Sequence, residues 1–223
     1  MFLHLPPTLR QHVSALRMLM AFTIVTGIAY PLAVTGIGQL AFGHQANGSL
    51  IKEHGEPVAS SLLGQNFALP KKNPDDSSEP LRPDPKWFQP RPSAADAGQG
   101  AGPYDPTYSG ASNLGPNDPR LITSIAQRRA AVAAFDGVSP ASLPADALTA
   151  SGSGLDPDIS PAYAYEQVAR VAKARGLPAE RLRTLVGDHV RDRELGFLGQ
   201  GRVNVIELNH ALRHLPAQSP VRS

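Results

Sequence analysis

No cysteine occurs among the 223 residues. That excludes a disulfide framework, a cysteine-ligated zinc or cluster, a thiol nucleophile and a lipidated N-terminal cysteine. Net charge is nearly absent too, since 21 Lys and Arg face 19 Asp and Glu for a formal +2. Such a balance gives no steer towards nucleic acid. Between Met18 and Gly43 there is no charged residue at all. What the chain does hold in excess is 20 glycines and 22 prolines, a share above the usual roughly 12% yet below the roughly 25–30% of wholesale disorder. A folded, loop-rich chain is expected.

The uncharged run "MLMAFTIVTGIAYPLAVTGIGQLAFG" covers about 26 residues, and at about 1.5 Å each a helix of that length exceeds a hydrocarbon core of roughly 30 Å. Residues 18–43 are therefore read as a transmembrane helix. Gly27, Pro31, Gly36 and Gly38 suit a span whose neighbours satisfy freed carbonyls and approach closely. A cleaved signal peptide is the competing reading, because Arg10 and Arg17 precede the run and Ala41-Phe42-Gly43 offers a small-x-small site. Signal cores of roughly 7–15 residues are much shorter than this one. Arg10 and Arg17 lie before the span and no Lys or Arg follows it until Lys52, which places 1–17 in the cytoplasm and 44–223 outside it. In a bacterium this is a single-pass inner-membrane protein with its bulk in the periplasm.

Beyond the span, short β-compatible runs at Ser49–Ile51 and Val58–Leu63 flank Gly55 and Pro57 and suggest a hairpin. Residues 70–85, "PKKNPDDSSEPLRPDP", contain too little apolar surface to offset their ordering entropy and read as a flexible, exposed insertion. Residues 86–119 read as an ordered loop lying over the folded surface. Asp118-Pro119 opens a helix over 119–135, with Leu121, Ile122, Ile125, Val132 and Phe135 at helical spacing. Ser160-Pro161 opens another that carries Tyr165, Val168, Val171 and Ala172 on one face and stops at Gly176. A third starts at Pro178 and buries Leu182, Leu185, Val186 and Val190. Asn204 with Glu207 three residues on gives a capping-box spacing before Leu208, Leu212 and Leu215. The fold class is α+β: one N-terminal transmembrane helix, then a mainly helical, loop-rich domain with a few short strands.

Three constellations invite chemistry. In "TASGSGLDPDISP", Gly152, Gly154 and Ser160 could offer amides to a phosphate, but the spacing matches neither G-x-G-x-x-G nor a Walker loop. Asp156 and Asp158 resemble part of a calcium loop that lacks its bidentate Glu. The reading adopted is a tight turn in which Asp158 and Ser160 stop the chain and cap the next helix. In "ELNHALRH", His210 and His214 stand at the i, i+4 spacing that can grip zinc, with Glu207 adjoining; without an H-E-x-x-H motif, a solvated polar face is expected. Ser109, Ser112 and Ser151–Ser153 have no G-x-S-x-G setting for hydrolysis. No catalytic, metal or cofactor-binding residue is assigned.

The blocks "GSLI", "SSLLGQNF", "WFQPRPSA", "YSGASNLGPNDP", "TASGSGLDPDISPAYAYEQVARVAKARG" and "LGFLGQGRVNVIELNHAL", in this order after one N-terminal span, resemble the C subunit of the Kdp-type potassium-transporting ATPase. Ala111 stands where that family usually shows a second Gly, and "GQGRVNV" replaces a more usual "GEPRVNV". The resemblance implies a non-catalytic accessory subunit of an ATP-driven potassium import complex, supporting assembly beside a pore-forming potassium-binding subunit and a P-type ATPase subunit. It also implies a catalytic chaperone that raises the pump subunit's ATP affinity. ATP then belongs to the complex, and an extracytoplasmic domain acts on its affinity through linkage rather than contact. The alternatives are a membrane-anchored extracytoplasmic hydrolase or metal-binding domain, a purely structural anchored domain, and a secreted module released by signal cleavage.

Overall fold

The computed structural model describes residues 6–73, 75–76, 78–98 and 102–215, and the chain divides into two units, Met1–Leu50 and Ile51–Ser223. In the first unit, α1 (Pro7–Ile24), a π-helical turn (Val25–Ala29) and α2 (Tyr30–Ala41) run together. They form one helix, Pro7–Ala41, of 35 residues with a mean hydropathy of 1.8 over its most apolar stretch. At about 1.5 Å per residue it is about 52 Å long, enough to cross a bilayer with turns to spare. It extends N-terminally past the uncharged run, so Arg10 and Arg17 ride on it. The π turn has a cause in the sequence. Pro31 brings no amide hydrogen, and just before it the Tyr30 N–H reaches back five residues to Val25 O. A single turn, α3 (Gly43–Ala46), follows.

The expected hairpin, β1 (Leu50–Glu53) and β2 (Glu56–Ser60), forms where the second unit begins. His54 and Gly55 turn it with φ of 52° and 91°, the pair of left-handed residues a two-residue I′ turn requires. Pro57 lies inside β2 rather than between the strands, tolerated because both strands of a two-stranded sheet are edges.

No helix or longer strand forms among the described residues from Ser61 to Asp118, yet this segment does more than drape the surface as expected. Phe88 and Ala95 are fully buried. Phe88 can enter the core because the Asn209 side chain serves its backbone, accepting from its N–H at 3.0 Å and donating to its carbonyl at 2.8 Å. Pro74 and Ser77 of the 70–85 segment lie outside the described residues. Within that segment, Glu79 accepts from the backbone amides of Lys72 and Asn73, while Ala68 and Pro83 bridge its two ends.

α4 (Pro119–Asp136) starts where expected, the Asp118 carboxylate capping Arg120 N and Gly137 closing it in the left-handed conformation. Ile122 departs from the buried face, being 59% exposed. The next expected helix is two, α5 (Pro161–Glu166) and α6 (Val168–Arg175), broken at Gln167. The break shifts the buried face, so Tyr163 and Ala164 are inside and Tyr165, expected on that face, points out. α7 (Ala179–Asp188) buries Leu182 and Val186, whereas Val190 belongs to a strand. α8 (Val205–Arg213) is capped by Asn204, which accepts from both Ile206 N and Glu207 N. Its Glu207 does not complete a capping box, because Arg191 takes that carboxylate. Three short strands, β3 (Asp158–Ile159), β4 (Val190–Arg191) and β5 (Arg202–Asn204), form an antiparallel sheet in the order β3-β5-β4. The core is Val168, Val171, Leu182, Val186, Leu208 and Leu212 packed on Phe88 and Val203.

Candidate functional site

The sequence blocks singled out above are far apart along the chain and meet around the loop 150–160. Gly64 N donates to Leu155 O at 2.7 Å, and Asn204 Nδ2 to Ser61 O at 2.7 Å. Ser93 Oγ donates to Gly154 O, Gly110 N and Ser109 Oγ both donate to Ser153 O, and Val205 N donates to Pro157 O. Two glycines permit this closeness. A Cβ on Gly154, whose φ is +71°, would meet Ala95 Cβ and Gly110 O at 2.6 Å. One on Gly64 would strike the Tyr104 ring and Asp156 O. Tyr104 donates its hydroxyl to Arg91 O, and burial, with the Asp156 charge adding, pushes that hydroxyl's pKa up.

The loop's own groups bond one another. Ser151 Oγ accepts from Gly154 N, Ser153 Oγ from Leu155 N and Asp156 Oδ1 from Asp158 N. Ser160 caps α5 by accepting from Tyr163 N at 3.1 Å. The expected second capper is not Asp158. That residue lies in β3 opposite Asn204, 3.4 Å from Arg202. Asp146 does the supporting work instead, accepting from Ser160 N at 2.6 Å and Ser160 Oγ at 2.9 Å.

Asp146, Asp156 and Asp158 nonetheless line one cleft of about 380 Å³ with Arg91 and Arg202. The arginines decide its character. Arg91 donates to Asp156 at 3.1 Å and Arg202 pairs Asp158, so the carboxylates that resemble a calcium loop already hold cations. Burial, then the neighbouring Asp156 charge, raises the Asp158 carboxyl above its ordinary value, and Arg202 only partly offsets this. A second, more apolar cleft of about 480 Å³ lies beyond Arg91, lined by Tyr104, Arg128, Phe135 and Tyr163. Arg91 Nε is buried there without a partner among the described residues.

Two features had no signal in the sequence. Arg170 is a buried hub: Nε donates to Asp136 at 2.6 Å, Nη1 to Pro85 O and Trp87 O, Nη2 to Gln167 Oε1, and the guanidinium stacks on Phe135 at 4.4 Å. Gln167 also clamps Gln89, accepting from its N–H and donating to its carbonyl. The second is Glu53. His210 and His214 come together as their spacing suggested, with ring centroids 4.8 Å apart, but the carboxylate that joins them is Glu53 of β1, not Glu207. Arg213 donates to both Glu53 oxygens at 2.8 and 2.9 Å. Partial desolvation alone would raise the Glu53 carboxyl; Arg213, with the two histidines adding, outweighs it and holds it below the usual range.

Compared with known proteins, residues 12–214 match the family described as "K+-transporting ATPase, c chain". A protein of Kineococcus radiotolerans named "Potassium-transporting ATPase KdpC subunit" is 50% identical over 213 residues, covering 96% of this chain and 98% of its own length. Proteins of the same name from Streptomyces coelicolor, 48% identical with 93% and 94% covered, and Mycobacterium tuberculosis, 44% identical with 92% and 99% covered, are also similar.

Proposed function

This chain belongs to the c-chain family of the K+-transporting ATPases, and on that premise we propose that it works as a non-catalytic, single-span accessory subunit. It is a subunit of a potassium-transporting membrane complex by family. The finer reading is that it contacts a pore-forming subunit and a P-type ATPase subunit, supports their assembly and raises the pump subunit's affinity for ATP without holding nucleotide itself. Residues 1–17 lie in the cytoplasm, 18–43 span the membrane, 44–223 form the periplasmic domain, and 70–85 is an insertion on it.

The observation that carries this reading is the inward bonding of the 150–160 loop. Its serine hydroxyls and aspartates are engaged with neighbouring backbone, Asp146, Arg91 and Arg202, an arrangement that fixes a shape rather than cradling a phosphate. A rigid shape is what a linkage partner supplies, since it alters affinity elsewhere by contacting two pump states unequally. The test is to purify the complex with and without this chain in nanodiscs, then measure potassium-stimulated ATP hydrolysis against ATP concentration. The expected result is a higher KM for ATP when the chain is missing, together with no retention of a fluorescent ATP analogue by the isolated full-length chain. Saturable binding of that analogue to the chain alone would overturn the reading.

A further inference from the structure

We propose that Glu53, His210 and His214 form a binding site for one divalent transition metal ion of zinc-like preference, clamping the β1–β2 hairpin to α8. The ligands come from two elements that approach through the fold. Glu53 ends β1, His210 lies on α8 and His214 is that helix's C-cap, one turn further on. One carboxylate oxygen of Glu53 and one ring nitrogen from each histidine all lie within 4.8 Å of one another.

Zinc bonds to nitrogen and oxygen are about 2.0–2.2 Å, so tetrahedral donors stand roughly 3.3–3.6 Å apart. Two of the separations here are already in or near that range, Glu53 Oε1 to His210 Nδ1 at 3.2 Å and to His214 Nε2 at 3.7 Å. The remaining gap closes by a swing of His214, whose side chain is 57% exposed at the C-cap of α8. The donor set of two imidazoles and one carboxylate favours zinc, nickel or copper over magnesium or calcium, which take oxygen. Three protein ligands leave a fourth position for water.

Arg213 donates to both Glu53 oxygens at 2.8 and 2.9 Å, so a metal that takes Oε1 replaces the bond there while the bond to Oε2 remains. The carboxylate is thereby oriented, as an outer partner orients a ligand.

The experiment uses the full-length chain in detergent, its affinity tag removed and metal stripped with EDTA before desalting. Zinc chloride is titrated against a chromophoric chelator, and cobalt chloride is followed by its visible d–d absorption. The expected result is one equivalent bound, a tetrahedral cobalt spectrum, and a zinc-dependent rise in Tm. Affinity should fall at least tenfold in His214→Ala and in Glu53→Gln, and the signal should vanish in the His210→Ala/His214→Ala double variant. Because His214 is exposed, His214→Ala reads the site without unfolding the domain, which circular dichroism checks. Absence of stoichiometric binding, or binding that survives the double variant, overturns the proposal.

Discussion

Ser160 is held from both sides: its hydroxyl accepts from Tyr163 N and donates to Asp146. Ser160→Ala removes a cap and leaves Asp146 short of a donor, so domain stability should drop by about 1–2 kcal/mol, the upper part of the range for lost N-caps. Denaturant unfolding of the full-length chain in detergent measures it. Asp158→Asn should behave differently, staying within about 0.5 kcal/mol of the parent at neutral pH. Its carboxyl is raised by burial and by Asp156, against the pull of Arg202. A carboxyl raised on folding supports the fold fully below its ordinary value and progressively less as pH rises through the folded value. The asparagine variant should therefore lose that slope, seen as a flatter Tm profile from about pH 4 upward. An equal loss in both variants would restore Asp158 as a capping residue. Ser160 was legible because N-caps are local and have a residue signature. Asp146, Arg170 and Glu53 were not, since each acts on a partner distant in sequence and nothing in their neighbours announces it.

Among the elements, the transmembrane helix carries glycines its own chain does not need. A Cβ on Gly36 would meet nothing within 4 Å, and one on Gly27 only the Thr23 methyl at 4.0 Å. Gly costs about 1 kcal/mol against Ala in a helix interior, so their use fits close approach by a second helix. Gly27→Leu and Gly36→Leu should leave membrane insertion and helicity intact while lowering the amount of P-type ATPase subunit that co-purifies, read by quantitative blotting. Unchanged co-purification would make the helix a plain anchor. A parallel case is the β4–β5 connection, where Leu195, Phe197 and Leu198 are 82%, 69% and 50% exposed within one of the blocks that mark the family. Phe197→Ser should leave Tm unchanged and weaken retention of the chain by the complex in detergent; full retention would exclude this tip as a contact. Long elements were readable from sequence, the transmembrane helix by its uncharged run and α4 by its period. The two-residue strands β3 and β4 were not, because a period of two cannot show itself in two residues. The break at Gln167 was hidden as well, since the apolar pattern continues through it and only the long-range bonds to Gln89 give that residue a separate task.

At the scale of the whole molecule, the proposed mechanism depends on which side of the membrane the second unit occupies. The proposed periplasmic placement follows from charge: Arg10 and Arg17 precede the apolar stretch, and its far end has no Lys or Arg until Lys52. Moving such a domain to the cytoplasm would bring the 150–160 loop within reach of ATP and remove the need for linkage through other subunits. A cysteine substituted for Glu180 separates the two arrangements. The native chain has no cysteine to give background, and the Glu180 side chain is 88% exposed at the start of α7, so the thiol is accessible and the fold undisturbed. In intact cells with a permeabilised outer membrane, a membrane-impermeant maleimide should label Glu180→Cys to the same extent before and after lysis. A second cysteine, replacing Thr8 on the other side of the span, should label only after lysis. If the two exchange behaviour, the domain is cytoplasmic, the action at a distance on ATP affinity loses its premise, and the clefts beside Arg91 become the first place to look for nucleotide.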